Sequence, residues 1–314
     1  MRYEKQEIFI GREGQEKIIQ ASITIVGIGA LGTNVLDILA RAGAGKIKII
    51  DRDVVELSNL HRQALFTEND VGKPKVYSAK EKINGINSDV IVESYLADLD
   101  YDNVDLLKSD LILDCTDNIY TRFLINEYAK KNNIPWIYSA VIGSKGMVMN
   151  ITNESACLNC ILKEPDEPLD TCDSLGVIGS IVKVIAGIQA TEALKILTCN
   201  IYNKNLIRID LWNNEIYFIK VDKRKECKVC NGIYEYINGN KKNNVIKICG
   251  SSNYQIKIYK NMDLIFEKLS NDYKIKNNEE FLVLENVVIF KSGRALIKAE
   301  SLDGAKKILD GYLG

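Results

Sequence analysis

Short apolar runs alternate with amphipathic stretches through the first half of the chain. The apolar runs have the length and composition of buried strands and lie at residues 22–26, 46–50, 90–95, 111–113, 136–140 and 147–151. The amphipathic stretches have helical periodicity and lie at residues 33–42, 75–83 and 119–131. Alternating strands and helices of this length predict an α/β fold with a doubly wound, mostly parallel, Rossmann-like sheet.

The second half of the chain has a different pattern. Residues 177–197 are apolar almost all round at helical length, so we predict a buried helix there. Further strands are predicted at residues 206–211, 215–221, 245–249, 281–284 and 295–297, and a last helix at 302–313. The hydrophilic run GNKKNN is typical of a linker. We therefore predict a main domain, residues 1–238, and a small C-terminal α/β appendage, residues 239–314.

Composition narrows the class of protein. The 314 residues have a formal net charge of −1, so the chain has no general attraction to nucleic acid or to an anionic membrane. No apolar run approaches the about 20 residues that a membrane-spanning helix needs. The N-terminus MRYEKQEIF lacks the apolar region of a signal peptide. These features predict a cytoplasmic protein that binds neither nucleic acid nor membrane.

The cysteines indicate a metal site. Eight cysteines in a chain without a secretory signal favour metal binding or catalysis over a disulfide framework. Cys157 with Cys160, and Cys227 with Cys230, form two Cys-x-x-Cys pairs, as in a tetrahedral Zn²⁺ site. We predict a structural zinc ion; reduced turns without a metal and two redox pairs are the alternatives.

A glycine-rich turn follows the first predicted strand. Gly27, Gly29 and Gly32 form G-x-G-x-x-G between a strand and a helix, where the backbone turns tightly and unpaired helix N–H groups attract phosphate. Asp51 ends the next strand, where a carboxylate accepts a ribose hydroxyl. A packing turn is the alternative, but the strand–loop–helix context favours a nucleotide site. The chain lacks G-x-x-x-x-G-K-[ST], which excludes a P-loop.

Charged residues downstream favour ATP over NAD as the nucleotide. A triphosphate that reacts at its α-phosphorus needs several nearby cations, and Arg62 and Lys75 can supply them. Asp114 and Asp117, in the run DCTDN, are suited to hold Mg²⁺ through oxygen ligands. Helix capping is the alternative for Asp117.

These motifs occur together in one order from Arg2 to Cys230. They are RYEKQEIF, GIGALG, IIDRDVVELSNLHRQ, VGKPK, LDCTDN, the paired cysteines and TCDSLGVIG with its following helix. In this set the chain resembles the ThiF/MoeB/HesA family, the prokaryotic relatives of ubiquitin-activating enzymes. The appendage has a weaker resemblance to the C-terminal extension of longer family members.

The resemblance implies an activity and partners. The family uses MgATP to adenylate the C-terminal glycine of a small ubiquitin-like protein and releases pyrophosphate. We therefore expect an adenylyltransferase for a sulfur-carrier protein ending in Gly-Gly, in thiamine, molybdopterin or related biosynthesis, and a homodimer. The attacking carboxylate needs no activating base, so positioning and charge stabilisation suffice. This agrees with a single histidine, His61, which we interpret as a loop residue.

The resemblance also implies roles residue by residue. Adenosine is expected at Gly27, Gly29, Ala30, Gly32 and Asp51. The phosphates are expected at Asn59, Arg62 and Lys75, and Mg²⁺ at Asp117. Gln63, Asn118 and Lys5 complete the nucleotide-binding set. Structural zinc is expected at Cys157, Cys160, Cys227 and Cys230.

Two positions carry further expectations. In sulfur-transfer members the cysteine that matches Cys172 bonds covalently to the activated carrier; a dispensable residue on a mobile segment is the alternative. Lys5 stands where family members usually have an arginine that reaches the neighbouring subunit's ATP. Lysine keeps the charge but loses the bidentate fork. Arg2 or Arg12 is a substitute candidate for that contact.

Three other functions are alternatives. An NAD-dependent oxidoreductase explains GIGALG and Asp51, but it leaves SNLHRQ, GKPK, DCTDN and the cysteine pairs without a role. A tRNA-modifying relative that adenylates a nucleoside carboxylate predicts a basic surface, which the net charge of −1 does not support. A scaffold without catalysis conflicts with the presence of Arg62, Lys75 and Asp117, although Lys5 is compatible with it.

Overall fold

A computed structural model describes residues 2–162, 175–198, 201–241, 245–247, 253–258, 261–272, 276–278, 281–291 and 293–313. The chain divides into two units, residues 1–241 and 242–314. The nucleotide and cysteine motifs all fall within the first unit.

One eight-stranded sheet organises the first unit. Its strands are β1 (Ser22–Val26), β2 (Lys46–Asp51), β3 (Ile91–Leu96), β4 (Leu111–Asp114), β5 (Trp136–Ile142), β6 (Lys145–Ile151), β7 (Leu206–Asp210) and β8 (Glu215–Ile219). The order across the sheet is β3-β2-β1-β4-β5-β6-β7-β8. Neighbours from β3 to β5 pair in parallel, and β6, β7 and β8 continue the sheet antiparallel. The predicted fold class is therefore confirmed.

Helices cover this sheet on both sides. They are α1 (Glu4–Gln20), α2 (Ala30–Ala42), α3 (Lys75–Ile86), α4 (Ile119–Asn132), α5 (Leu158–Ile161) and α6 (Gly179–Thr198), with 3-10 turns at Leu57–Asn59, Glu68–Asp70, Tyr101–Leu107 and Val229–Asn231. The apolar pattern did not predict α1, because charged and amide side chains fill most of its positions. Its backbone is interrupted at Gly11, where φ is 77°.

Two apolar cores lie on the opposite faces of the sheet. Leu111 and Leu113 of β4 belong to one core, and Ile112 between them belongs to the other. This alternation is the normal consequence of strand geometry. Side chains of α2, α3 and α6 fill the first core, whereas α4 and the cysteine pairs fill the second.

Helix α6 is only partly buried, which corrects the prediction of a buried helix. Ile181 and Ile185 lie in the first core. Lys183, Val184 and Thr191 lie on an exposed stripe along the same helix. An apolar composition therefore did not distinguish a helix enclosed by its own chain from one with an open outer face.

The strand ends place three motifs at one edge of the sheet. Val26 at the end of β1 lies opposite Ile50 of β2 and Asp114 of β4. The glycine loop, Asp51 and DCTDN therefore leave the sheet side by side. The chain order reverses between β1 and β4, and ligands of doubly wound sheets bind at such a point, outside the carboxyl ends of the strands.

The second unit is a six-stranded antiparallel sheet with two helices. Its strands are β9 (Val245–Lys247), β10 (Asn253–Lys257), β11 (Lys276–Asn278), β12 (Phe281–Val283), β13 (Val287–Phe290) and β14 (Arg294–Lys298), in the order β11-β12-β13-β14-β10-β9. Helices α7 (Met262–Asp272) and α8 (Leu302–Leu313) pack on its core. Strands β10, β11 and β13 were not predicted.

In the part of the chain that the structure describes, no helix is long and apolar enough to cross a membrane.

Candidate functional site

Three glycines shape the turn from β1 into α2. Gly27 has a φ of 88°, and a Cβ there would lie 2.6 Å from the Cys115 carbonyl oxygen. A Cβ on Gly32 would overlap the Gly27 carbonyl oxygen. By contrast, a Cβ on Gly29 would meet only the Gln63 side chain, at 4.0 Å. The loop is therefore tightly packed at Gly27 and Gly32 and open at Gly29. Gly29 lies at the N-terminus of α2, a position that favours an anion.

Asp51 joins the end of β2 to this loop. Its carboxylate accepts the N–H of Ile28 at 2.6 Å and the N–H of Asp53 at 2.7 Å. Burial raises the pKa of the Asp51 carboxyl above its ordinary value, and the positive charge of Lys75 opposes this effect. Each carboxylate oxygen has two acceptor positions, so Asp51 can still accept a ribose hydroxyl.

The segment after β2 brings Asn59, Arg62 and Gln63 to the glycine loop. Asn59 Oδ1 accepts from Arg62 Nη2 at 2.6 Å. Asn34 of α2 donates to the Arg62 carbonyl at 3.3 Å, which holds the segment against α2. Gln63 is buried, and among the described residues its Oε1 has no hydrogen-bond donor. A buried acceptor in this state fits a ligand that brings a donor to Gly29.

Lys75 reaches the same edge of the sheet from the first turn of α3. The side chain is buried, and its Nζ lies 3.4 Å from Asp53 Oδ2. Burial lowers the pKa of the Lys75 ammonium, but Asp53, Asp51 and Asp117 outweigh this effect and the pKa is raised overall. Lys75 is therefore a charged cation beside Asp51.

The sequence analysis missed three residues in this cluster. Arg52 Nη1 lies 2.9 Å from Asp98 Oδ1, and Arg52 Nε lies 3.8 Å from Asp53 Oδ1. Burial lowers the pKa of Arg52, but Asp98, Asp53 and Asp117 outweigh this effect, and the pKa is raised overall. The Asp-x-Asp spacing at the end of β2 was a usable sign of Asp53. Asp98 follows β3 without any motif, so only the sheet order reveals it.

The two aspartates of DCTDN have different roles. Asp114 is fully buried and accepts the N–H and the Oγ1–H of Thr116, at 2.9 and 2.7 Å. Its other oxygen lies 3.4 Å from Arg122 Nε. Asp114 therefore shapes the loop from within, which differs from the expectation that it holds Mg²⁺.

Asp117 faces outward at the same edge. It is exposed, and it lies close enough to Lys75 and Arg52 to raise the pKa of both. The cap of α4 is instead Asn118, whose side chain accepts the Thr121 N–H at 2.9 Å. Asp117 thus remains accessible to a cation, while the Asn118 side-chain oxygen is engaged in the helix cap.

Lys5 lies at the far end of α2 from the glycine loop. Its neighbour Gln6 donates to the Ala42 carbonyl at 2.8 Å, at the C-terminal end of α2. The 13 residues of α2 separate that end from Gly29 by about 18 Å. A lysine side chain reaches only about 6 Å. Lys5 therefore cannot contact a nucleotide at the glycine loop of its own chain.

The four paired cysteines form one cluster. The sulfurs of Cys157, Cys160, Cys227 and Cys230 all lie within 4.8 Å of one another. The close S···S distances are 3.5, 3.5, 3.6 and 3.9 Å. Four sulfurs at about 2.3 Å from a tetrahedral zinc ion lie about 3.8 Å apart, so the cluster has the dimensions of a zinc site.

His61 is an exposed loop residue, as the sequence analysis interpreted it.

Helix α4 holds both sides of this cluster. Asn126 accepts the Leu158 N–H at 2.9 Å, beside the first cysteine pair. Glu127 accepts the N–H groups of Glu235, Tyr236 and Ile237 at 2.8–3.1 Å, beyond the second pair. These hydrogen bonds therefore fasten the segments on both sides of the cluster to α4.

The first comparison with known proteins concerns the family. A model described as the ThiF family matches residues 3–229. The chain belongs to the ThiF family. The match covers the glycine loop, Asp51, Arg62, Lys75, Asp117 and the first three clustered cysteines.

Two curated relatives extend this ThiF assignment. The sulfur carrier protein ThiS adenylyltransferase of Bacillus subtilis is 36% identical over 336 aligned positions, which cover 100% of this chain and 99% of the relative. The ThiS adenylyltransferase of Escherichia coli is 35% identical over 63% of this chain and 81% of its own length. The Bacillus relative thus matches the second unit as well. The predictions of the family and of an adenylyltransferase are confirmed.

A solved structure supports the same fold. The crystal structure of Escherichia coli MccB with ATP aligns with a TM-score of 0.64 at 23% identity and covers 73% of this chain and 74% of MccB. At this identity the likeness concerns the fold.

Cys172, the remaining member of the predicted site, lies outside the described residues.

Proposed function

We propose that this ThiF-family protein uses ATP to adenylate the C-terminal glycine of a small ubiquitin-like sulfur-carrier protein and releases pyrophosphate. The observation that carries the proposal is the grouping of three side chains at the glycine loop: Asp51 accepts the Ile28 N–H, Lys75 lies beside Asp51, and Arg62 is next to Gln63, which approaches Gly29. The names of the relatives, ThiS adenylyltransferase among them, support a carrier protein as the substrate. Free thiols and a thiolate metal cluster suit a reducing compartment, so we place the reaction in the cytoplasm.

The site residues suit this reaction because it needs no general base. A carboxylate oxygen of the carrier bonds to the α-phosphorus of ATP, and the bond to the bridging oxygen of the β-phosphate breaks. The ribose hydroxyls donate to Asp51, while Arg62 and Lys75 stabilise the charge that develops on the phosphates. Asp117 has the exposed oxygen ligands that Mg²⁺ prefers. When bound there, Mg²⁺ would supply further positive charge for the phosphates.

We further propose that the cysteine cluster holds one structural Zn²⁺. Its four sulfurs have the spacing of a tetrahedral site, and its position on α4 is away from the glycine loop. Four ligands fill the coordination sphere of zinc, so this ion has no open position for catalysis. Its role is to fasten the turns that carry the two pairs.

We propose a homodimer, which the position of Lys5 supports. Lys5 lies away from the glycine loop of its own chain, so the contact with ATP that we expect for it would require a second copy. The same helix exposes Ile8 and Phe9 by 74% and 91%, and α6 exposes Val184 on its outer stripe. Large exposed apolar side chains of this kind are typical of an interface.

Phe9→Asp is expected to disrupt this dimer. A buried aspartate without a partner destabilises an interface, whereas the exposed Phe9 contributes little to the fold of one chain. Sedimentation analysis should show a dimer for the wild type and a monomer for the variant at the same concentration. The matched surface change Lys80→Asp, on the exposed face of α3, should remain dimeric; monomers of the wild type at micromolar concentration would contradict the proposal.

We place the carrier on the exposed side of β8. Trp212, Ile216 and Phe218 are 77%, 61% and 62% exposed. The turn that carries Trp212 lies at the same sheet edge as the nucleotide, because β7 ends and β8 begins at that edge. The distance from β4 to β8 is about 19 Å. An extended tail of about six residues spans it, and glycines thread a narrow path because they lack side chains.

The test is carrier-dependent ATP–pyrophosphate exchange. Small proteins that end in Gly-Gly are added one at a time to the purified protein with MgATP. Exchange is expected with one of them and not with the same protein lacking its last glycine. Phe218→Ser should raise the KM for the carrier and leave the KM for ATP unchanged. ATP binding without exchange for any carrier would count against the proposal.

The same exchange assay distinguishes a role of Cys172 in sulfur transfer from a role in adenylation. We propose that, after adenylation, the sulfur of this thiol bonds to the activated carboxyl carbon of the carrier, the bond from that carbon to the AMP oxygen breaks, and AMP leaves, which gives a thioester. Cys172→Ala is therefore expected to keep normal exchange and to lose the covalent adduct, which mass spectrometry detects. Loss of exchange in this variant would show that Cys172 acts earlier.

A further inference from the structure

Four alternating charges form a row across the ends of β3 and β2 to the start of α3. Arg52 Nη1 donates to Asp98 Oδ1 at 2.9 Å. Arg52 Nε lies 3.8 Å from Asp53 Oδ1, and Lys75 Nζ lies 3.4 Å from Asp53 Oδ2. The two oxygens of Asp53 therefore face two different cations. The row leads from the outer strand β3 to a cation of the nucleotide site.

The backbone of Asp53 holds Lys75 as well. The Lys75 N–H donates to the Asp53 carbonyl at 2.9 Å. On either side, Val54 bridges Pro74 in an antiparallel sense, and the Val55 N–H donates to the Lys73 carbonyl at 2.8 Å. Asp53 thus fixes Lys75 at both its backbone and its ammonium group.

We infer that Asp53 is a positioning residue that aims the Lys75 ammonium at the phosphates of the bound nucleotide. Arg52, tethered by Asp98, keeps the Asp53 carboxylate in place. The inference rests on the proposed function, because it assumes that a nucleotide phosphate binds beside Lys75. Neither Asp53 nor Arg52 is required to touch the nucleotide.

Physical chemistry explains why Lys75 needs such a partner. A lysine has a flexible four-carbon stem, so its ammonium has no preferred direction unless another group holds it. A buried ammonium also tends to lose its charge. Asp53 opposes both effects, because a nearby carboxylate fixes the direction and favours the charged form.

The charge of Asp53 and its proposed positioning role predict opposite changes in ATP affinity when Asp53 is removed. Asp53 is a negative charge near the site of a negatively charged triphosphate. If it acted only through that charge, its removal would strengthen ATP binding. If it positions Lys75, its removal weakens ATP binding, because the ammonium loses its direction.

The experiment is calorimetric titration of the wild type, Asp53→Ala and Asp53→Asn with MgATP and with adenosine. We expect the Kd for ATP to rise about tenfold in Asp53→Ala, the usual effect of losing one charge-assisted contact. The rise should be smaller in Asp53→Asn, which keeps the shape and one acceptor. The Kd for adenosine should not change, since Lys75 serves only the phosphates. Asp102→Asn, on an exposed turn near the same sheet edge, should bind both ligands normally.

Equal or tighter ATP binding by both Asp53 variants, with normal binding by the wild type, would overturn this inference alone. An equal loss of adenosine affinity would also overturn it, because that result indicates general damage to the site. If the wild type does not bind ATP, the proposed function fails and this inference fails with it. Partial recovery in Asp53→Glu, which restores the carboxylate, would support it.

Discussion

Replacing Arg62 with alanine is expected to lower the rate of carrier-dependent ATP–pyrophosphate exchange by about 10²–10³-fold. Arg62 donates to Asn59 Oδ1 at 2.6 Å and to the Ser58 carbonyl at 3.1 Å, so its guanidinium is oriented before the nucleotide arrives. A preorganised charge of this kind stabilises the transition state at little further cost. Exchange of labelled pyrophosphate into ATP measures the effect directly.

The matched control for this prediction is Arg41→Ala. Arg41 lies in the last turn of α2, away from the glycine loop, and pairs with Asp37 at 2.9 Å on the surface. Surface pairs of this kind contribute little to stability, so exchange should remain within about twofold of the wild type. Near-normal exchange in Arg62→Ala would contradict the role given to this arginine.

Cys160→Ser is expected to abolish stoichiometric zinc binding and to lower the melting temperature by at least about 10 °C. The physical reason is that Cys160 would supply one of the four sulfur ligands of the proposed ion, which would join turns that are 70 residues apart. Loss of the ion frees those turns from α4. Elemental analysis of the purified protein gives the metal content, and calorimetry gives the melting temperature.

A second buried cysteine provides the control for this zinc prediction. Cys115 is buried beside the glycine loop, where burial raises the pKa of its thiol well above the ordinary value. It is not a member of the four-cysteine cluster. Cys115→Ala should therefore keep one zinc ion per chain. Unchanged zinc content in Cys160→Ser would exclude the proposed site.

The sequence predicted the parallel half of the sheet well. Strands β1, β2 and β4 are short and rich in isoleucine, leucine and valine, because both faces of the sheet are covered there. Helix α1 has no such apolar pattern, because most of its residues are exposed to water in the single chain. The second unit was predicted only in part, because strands of three to five residues carry too little periodicity.

The candidate site was also predicted in part. Gly27, Gly29 and Gly32 are recognisable because local backbone geometry requires them at fixed spacing. Asp53 and Asp98 were not, since their role depends on contacts with Arg52 and Lys75 across separate elements. For the same reason, Asp114 and Asp117 looked equivalent in sequence but differ in burial.

The sequence by itself determined the family, the strand–loop–helix nucleotide motif and the four candidate metal ligands. Each of these depends on residues close together in the chain, where spacing alone fixes geometry. Only the tertiary structure decided that the segment carrying Lys5 packs at the end of α2 away from its own glycine loop, and that Asp53 holds Lys75. Such facts depend on how distant segments pack, and packing distances between segments are not encoded in any local pattern.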